Sequence, residues 1–145
     1  MKRYLLILLI FVVPNLLAFQ EKLEKARLLK EASLFDSAIA LYHDILRNSR
    51  DDCSEDEEEK AFLKNIHFSL AECYYQNENF LKTIEVIEGK CDTNNEHLLL
   101  AMAFNRLKRY EEAISTLYSN PDVLKVDQAI YQLGFAFFYS NKLEE

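Results

Sequence analysis

The stretch Lys108-Arg109-Tyr110-Glu111-Glu112-Ala113-Ile114 decides the fold of this chain, because related stretches recur along the sequence. The other copies lie at Leu34–Ile39, Asn79–Ile84 and Asn141–Glu145. Each copy follows a helix-like segment that carries a small residue and, one turn later, an aromatic residue or a leucine. An internal repeat of this kind predicts a stacked array of helical hairpins.

The composition fits a small helical domain and argues against two classes of partner. The 145 residues are enough for one domain with a modest core, and only 2 glycines and 2 prolines disfavour a turn-rich β fold. The 17 basic and 24 acidic residues give a net charge of −7. Nucleic acids and anionic membranes require a basic surface, so neither is expected as the main partner.

The N-terminus has the layout of a secretory signal peptide that ends at Ala18. Met1-Lys2-Arg3 provides the charged start, and Tyr4–Val13 is an uninterrupted apolar run. This run is short of the ~20 residues that cross a bilayer. We therefore expect an exported protein of the bacterial periplasm or cell envelope. The alternative is an uncleaved anchor, because Leu16 is bulky where a small residue is preferred.

The residues after the leader show helical periodicity throughout and no strand pattern. Gly89 is expected to end a helix, and Ser54–Glu57 and Asp127 are expected to begin helices as caps. The spacing predicts helices over about 35–47, 55–76, 80–88, 94–107, 110–119 and 128–139.

The chain resembles the tetratricopeptide repeat family, whose unit is a helix pair of about 34 residues. Small residues stand where the two helices of a pair would cross closely, at Ala26, Ala71, Ala101 and Gly134. Aromatic residues stand at the corners between helices, at Phe35, Phe80 and Tyr110. Thr83 and Leu143 depart from the pattern. The resemblance implies an all-α fold, a right-handed superhelical array of antiparallel helix pairs (an α-solenoid) with about three and a half repeats.

The resemblance divides residues 19–145 into units of about 19–52, 53–93, 94–126 and 127–145, after the leader at 1–18. The last unit stops before its second helix, which we interpret as a sign that the chain is part of a longer protein. The alternative is that the exposed face of the last helix docks on a partner or on a second copy of the chain.

In this family the first helices of the units line a groove that holds a peptide or another protein. Aromatic, amide and arginine side chains on these helices suit an extended partner segment. The alternative for Phe68 and Phe135 is that they belong to the core. The groove that the resemblance implies comprises Asn65, Phe68, Glu72, Tyr75, Leu98, Met102, Asn105, Arg106, Gln128, Tyr131 and Phe135.

The sequence lacks the motifs of catalysis and of cofactor or metal binding. Gly89 and Gly134 are the only glycines, so no phosphate-binding loop exists, and no ligands cluster at zinc spacing. We therefore expect no enzyme activity, no cofactor and no metal. Cys53 and Cys91 could pair in an oxidising compartment; three free thiols, with Cys73 inside a helix, is the alternative.

These observations favour a non-enzymatic scaffold that binds peptide or protein partners in the bacterial periplasm or envelope. The alternative is the N-terminal repeat region of a larger envelope enzyme, a peptidase or a peptidoglycan-acting protein, whose catalytic domain is absent from this chain. A third interpretation is an adaptor that the retained leader tethers to the membrane.

The signal peptide makes a direct prediction about the mature protein. When the chain is exported from a bacterial host, we expect N-terminal mass spectrometry to find Phe19 as the first residue. Recovery of a membrane-bound product that still begins at Met1 or Lys2 would instead establish the tethered form.

Overall fold

The computed structural model describes residues 2–49 and 57–141, with side chains from residue 17 onward apart from Glu59. These ranges form helices without any strand, and neighbouring helices pack in succession, so the predicted all-α solenoid class is confirmed. The elements are α1 (Lys2–Glu31), α2 (Phe35–Asn48), α3 (Glu57–Gln76), α4 (Phe80–Ile87), α5 (Asn94–Arg106), α6 (Tyr110–Ser119), a 3₁₀ helix (Pro121–Lys125) and α7 (Asp127–Ser140).

The same turn joins the two helices of every described hairpin. Its first residue has a left-handed backbone, with φ of 59° at Ser33, 58° at Glu78 and 61° at Lys108. The amide of the next residue donates to a carbonyl five residues earlier: Leu34 to Leu29, Asn79 to Tyr74 and Arg109 to Phe104, at 2.8–2.9 Å. This bond defines the Schellman motif, which satisfies carbonyls at the end of the first helix. The stabilisation from this bond offsets the free-energy cost of the left-handed conformation, which is about 1–2 kcal/mol for a non-glycine residue.

The chain divides into two compact units, residues 1–66 and 67–145. In the first unit α2 packs on α1, and Ala26 and Ala38 are fully buried, which allows the two helices to approach closely. Lys22 of α1 forms an exposed ion pair with Asp44 of α2. The hydrogen bond and charge of Lys22 lower the pKa of the Asp44 carboxyl.

The core of the second unit is built around α5, which packs on α4, α6 and α7. Ala71, Ala101 and Ala113 are fully buried at the positions that the repeat reserves for small residues. Thr83, the departure in the second repeat, is also fully buried. Its hydroxyl lies 3.1 Å from the Asn79 carbonyl oxygen and 3.5 Å from that of Ala71, so the polar atom has acceptors within the core.

The helix ends agree in part with the sequence prediction. Gly89 follows α4 with φ +75°, as expected for a C-terminal cap. The prediction that Asp127 caps α7 was wrong: the cap is Val126, and Asp127 is the first helical residue. Val126 follows the 3₁₀ helix and takes the cap position, so Asp127 becomes the first residue of α7. The charge of Asp127 still lies near the positive end of the helix dipole. The expected capping box at Ser54–Glu57 lies almost entirely outside the described residues.

Among the helices whose side chains are described, none is long and apolar enough to cross a membrane. The expected signal peptide, residues 1–18, lies almost entirely outside that set.

The close helix crossing predicted at Gly134 stays a prediction, because the helix that would make it lies outside the described residues. Gly134 is exposed, and a Cβ built on it would meet nothing within 4 Å. The second helix expected to cross it would begin near Leu143, outside the described residues. Glycine at this position of α7 therefore weakens the helix without any compensating contact in the described chain.

The two glycines are expected to respond to alanine in opposite directions. Gly134→Ala should raise the free energy of unfolding by about 0.5–1 kcal/mol, because alanine restricts the unfolded chain and favours the helix. Gly89→Ala should lower it by about 1 kcal/mol, because its φ of +75° is unfavourable for a residue with a Cβ. Urea unfolding followed by far-ultraviolet circular dichroism measures both, and changes of the same sign would contradict the assignment.

Candidate functional site

A cleft of about 380 Å³ opens on the second unit between α3, α5 and the start of α7. It is an assembly of first helices, as the repeat pattern predicts for a binding groove. Six of the predicted groove residues line it, namely Phe68, Glu72, Tyr75, Leu98, Met102 and Gln128. Gln76, Asn95 and Leu99 also line it and were missed by the sequence analysis.

One wall of the cleft is a stripe along α3. Phe68, Glu72 and Gln76 follow each other at intervals of four residues, which places them on one helix face. Tyr75 sits beside this stripe and packs edge-on against Phe80, with ring centroids 5.3 Å apart. Burial raises the pKa of the Tyr75 phenol, and the positive charge of Arg106 acts in the opposite direction. The contact with the corner aromatic Phe80 helps to hold Tyr75 in this wall of the cleft.

The floor and the opposite wall come from α5. Leu98 and Leu99 are buried, and Met102 follows one turn later. The start of α5 is held by a capping box that the sequence analysis missed: the Glu96 amide donates to the Thr93 hydroxyl, and the Thr93 amide donates to the Glu96 carboxylate. This cap orients the first turn of the helix, where the cleft residue Asn95 lies.

The edge of the cleft is closed by α7. The Gln128 side-chain amide lies 3.5 Å from the Met102 sulfur, which links α7 to the α5 wall. Among the described lining residues, amide side chains form the rim and Glu72 is the one charged group. An apolar floor with an amide rim can hold the side chains of a bound segment while hydrogen-bonding its backbone.

Three predicted groove residues take roles outside the cleft. Asn65 falls in the first unit and is exposed. Asn105 is buried, and its amide donates to the backbone oxygen of Gln132 at 3.0 Å and to its side-chain oxygen at 2.9 Å. Arg106 places its guanidinium over the Phe80 ring, 5.4 Å from the centroid. Asn105 thus ties α5 to α7 in the interior.

The two aromatic residues predicted on α7 also lie outside the cleft lining. Tyr131 is 67 % exposed. Phe135 is half-buried in an aromatic cluster, with its ring centroid 4.6 Å from that of Tyr139 and 6.2 Å from that of Tyr110. The structure therefore assigns Phe135 a packing role, which was the alternative left open by the sequence.

A second pocket, of about 320 Å³, lies between α6 and the loop that precedes α5. Cys91 lines it and donates its thiol to the Ile87 carbonyl at 3.3 Å. Burial and the neighbouring carboxylates, Glu96 first, raise the pKa of this thiol to about 12, so its reactive thiolate form is disfavoured.

Cys53 lies outside the described residues, so the disulfide with Cys91 stays a prediction. No cluster of three metal-ligating side chains occurs in the part of the chain with described side chains.

Successive helical hairpins joined by one repeated turn, with a cleft along their first helices, define a helical-repeat protein. A family model described as "Anaphase-promoting complex, cyclosome, subunit 3" matches residues 10–119. This is a family of tetratricopeptide-type repeats, and the chain belongs to it, which confirms the resemblance. Such repeats generally mediate protein–protein interactions and are typically non-catalytic. Comparisons with curated proteins and with solved structures found no match.

Alanine substitutions of Tyr131 and Phe135 are expected to differ in their effect on stability. Phe135→Ala should lower the free energy of unfolding by about 1–3 kcal/mol, because it removes a ring packed against two others. Tyr131→Ala should change it by less than about 0.5 kcal/mol, because the ring is mostly in solvent. Both are measured by urea unfolding; equal losses would show that Tyr131 packs as well.

Proposed function

We propose that this chain is a non-enzymatic scaffold that holds an extended segment of a partner protein in the cleft between α3, α5 and α7. The observation that carries the proposal is the cleft itself, which has an apolar floor at Leu98, Leu99 and Met102 beneath an amide rim. Its volume of about 380 Å³ lies in the range of sites that enclose small ligands or a few side chains.

The arrangement favours an extended segment over a small molecule with a single polar group. Gln76 on α3, Asn95 on α5 and Gln128 on α7 present amides from three different helices. Amide side chains both donate and accept, so they match the alternating donors and acceptors of an extended backbone. The family description names a subunit of a complex, which supports a role in protein assembly.

The proposed location is the bacterial periplasm or cell envelope. It is supported by the charged start, the apolar run and the small residue at Ala18 in the first 18 residues of the chain. An acidic scaffold with few cysteines is compatible with that compartment, and the proposed Cys53–Cys91 pair would form there.

A second proposed interface is the exposed side of α7, where two copies of the chain would associate. Ile130 is 56 % exposed and Phe137 is 40 % exposed on this helix. Asp127 is the one charged residue among the fourteen of α7. A nearly uncharged helix with large apolar side chains in solvent is typical of a protein contact surface.

Site-specific photocrosslinking tests both surfaces in the organism that produces the protein. A photoreactive amino acid at Asn95, on the cleft rim, is expected to capture a partner protein as a discrete adduct. At Ile130 it is expected to yield an adduct with twice the mass of the chain. At Glu111, an exposed control position on α6, it should yield neither product.

The control position makes the outcomes decisive. Adducts at Glu111 equal to those at Asn95 would show that capture reflects general proximity and would contradict binding in the cleft. If the variant with the photoreactive residue at Ile130 keeps the mass of a single chain after irradiation, and the chain sediments as a monomer at high concentration, self-association through α7 is contradicted.

A further inference from the structure

The exposed side of α7 carries the same kinds of residue at equal distances before and after Gly134. Large apolar or aromatic residues stand three and four positions away in each direction, and a short polar residue stands seven positions away. Intervals of three, four and seven residues return to one face of an α-helix, so these positions share a surface. The matching pairs, all of them exposed, are Tyr131 with Phe137, Ile130 with Phe138, and Asp127 with Asn141.

Gly134 lies at the centre of this surface and leaves a gap between the large side chains. A Cβ built on it would meet nothing within 4 Å, so the space above the glycine is open. Two helices approach each other closely where the crossing point lacks a bulky side chain. Gly134 is therefore the point of this surface at which a second helix can come closest to α7.

A surface with this arrangement is complementary to itself. In a two-fold pair of copies the same patch is used twice, so each residue meets the matching residue of the other copy. When two α7 helices run antiparallel and cross at Gly134, Ile130 meets Phe138 of the other copy, and Tyr131 meets Phe137 of the other copy. Each large side chain of the patch is then covered by another one.

The one charged residue of α7, Asp127, favours the antiparallel orientation. Asn141 keeps helical backbone angles, with φ −63° and ψ −25°, so it continues the same face. In an antiparallel pair its amide lies opposite the Asp127 carboxylate of the other copy and can donate a hydrogen bond to it. A parallel pair would instead bring the two Asp127 carboxylates together, which is unfavourable. The antiparallel contact thus lets two chains of net charge −7 meet without opposing like charges on this face.

Resting on the proposed self-association, we infer that two copies of the chain pair through antiparallel α7 helices that cross at Gly134, with Asp127 of each copy opposite Asn141 of the other. The cleft stays accessible in this pair, because Gln128 of the cleft edge lies on a different face of α7. Six residues separate it from Gly134, which is a rotation of about 120° around the helix. Each pair therefore carries two clefts for partner segments.

Sedimentation equilibrium of the purified chain and its variants tests this pairing. Asn141→Lys is expected to tighten the dimer about fivefold at low salt, because each introduced lysine faces Asp127 of the other copy. In a parallel pair the two lysines would face each other, and the same variant would weaken the dimer. Gly134→Leu is expected to weaken the dimer by about tenfold or more, because its side chain fills the crossing point.

Three controls separate the contact from general effects. Glu88→Gln changes the net charge by the same amount at the exposed end of α4, and it should leave the dissociation constant unchanged. Adding Asp127→Asn to Asn141→Lys should remove the gain, because the lysine loses its carboxylate partner. Circular dichroism melting of dilute samples checks that each variant is folded; Gly134→Leu should melt no lower than the wild-type chain, because leucine favours a helix over glycine.

The outcomes separate the inference from the proposed self-association. A dimer that Gly134→Leu leaves intact, or that Asn141→Lys fails to tighten, overturns the antiparallel crossing at Gly134 and leaves self-association standing. A wild-type chain that stays monomeric at high concentration, or that crosslinks at Ile130 only to a different protein, overturns self-association and the inference together.

Discussion

The hydrogen bond that closes each interhelix turn is the constraint on which the rest of the structure depends. In the second unit it joins Asn79 to Tyr74 and Arg109 to Phe104, across a left-handed residue in each case. A Schellman turn reverses the chain within a few residues, so the two helices that it joins become antiparallel neighbours. Because both corners use the same turn, α3 meets α4 with the same local geometry with which α5 meets α6. Because of this common geometry, the first helices of the hairpins line one cleft.

The small residues of the repeat and the large residues of the cleft are two consequences of the same packing. Ala71 and Ala101 are fully buried where helices cross, and their small size permits the close approach of the helix axes. The same helices carry Phe68 and Met102 on the face that lines the cleft. Large side chains are excluded from the crossing and accommodated in the cleft, so one periodicity specifies both the core and the lining of the cleft.

The sequence could predict the elements of the fold because their signals are local. Helical spacing and the corner aromatics Phe80 and Tyr110 place the helices within one or two residues of their observed ends. The cleft was predictable only in part, because projection onto a helix gives the direction of a side chain but not the neighbour that covers it. Asn105 points toward Gln132 of α7, and Phe135 meets Tyr139 and Tyr110. Those pairings depend on how α7 docks, which no single-helix pattern contains.

The docking of α7 would link the proposed binding to stability. Gln128 lines the cleft and approaches Met102, while Asn105 anchors the next turn of α7 through Gln132. In a repeat array each helix is stabilised mainly by its nearest neighbours, and α7 leaves Ile130 and Phe137 exposed. A segment bound as proposed would contact Gln128 only while α7 is docked, so it would bind that state in preference to an undocked one. Since a ligand stabilises the state that it binds, occupation of the cleft would strengthen the attachment of α7 to the helices on which it packs.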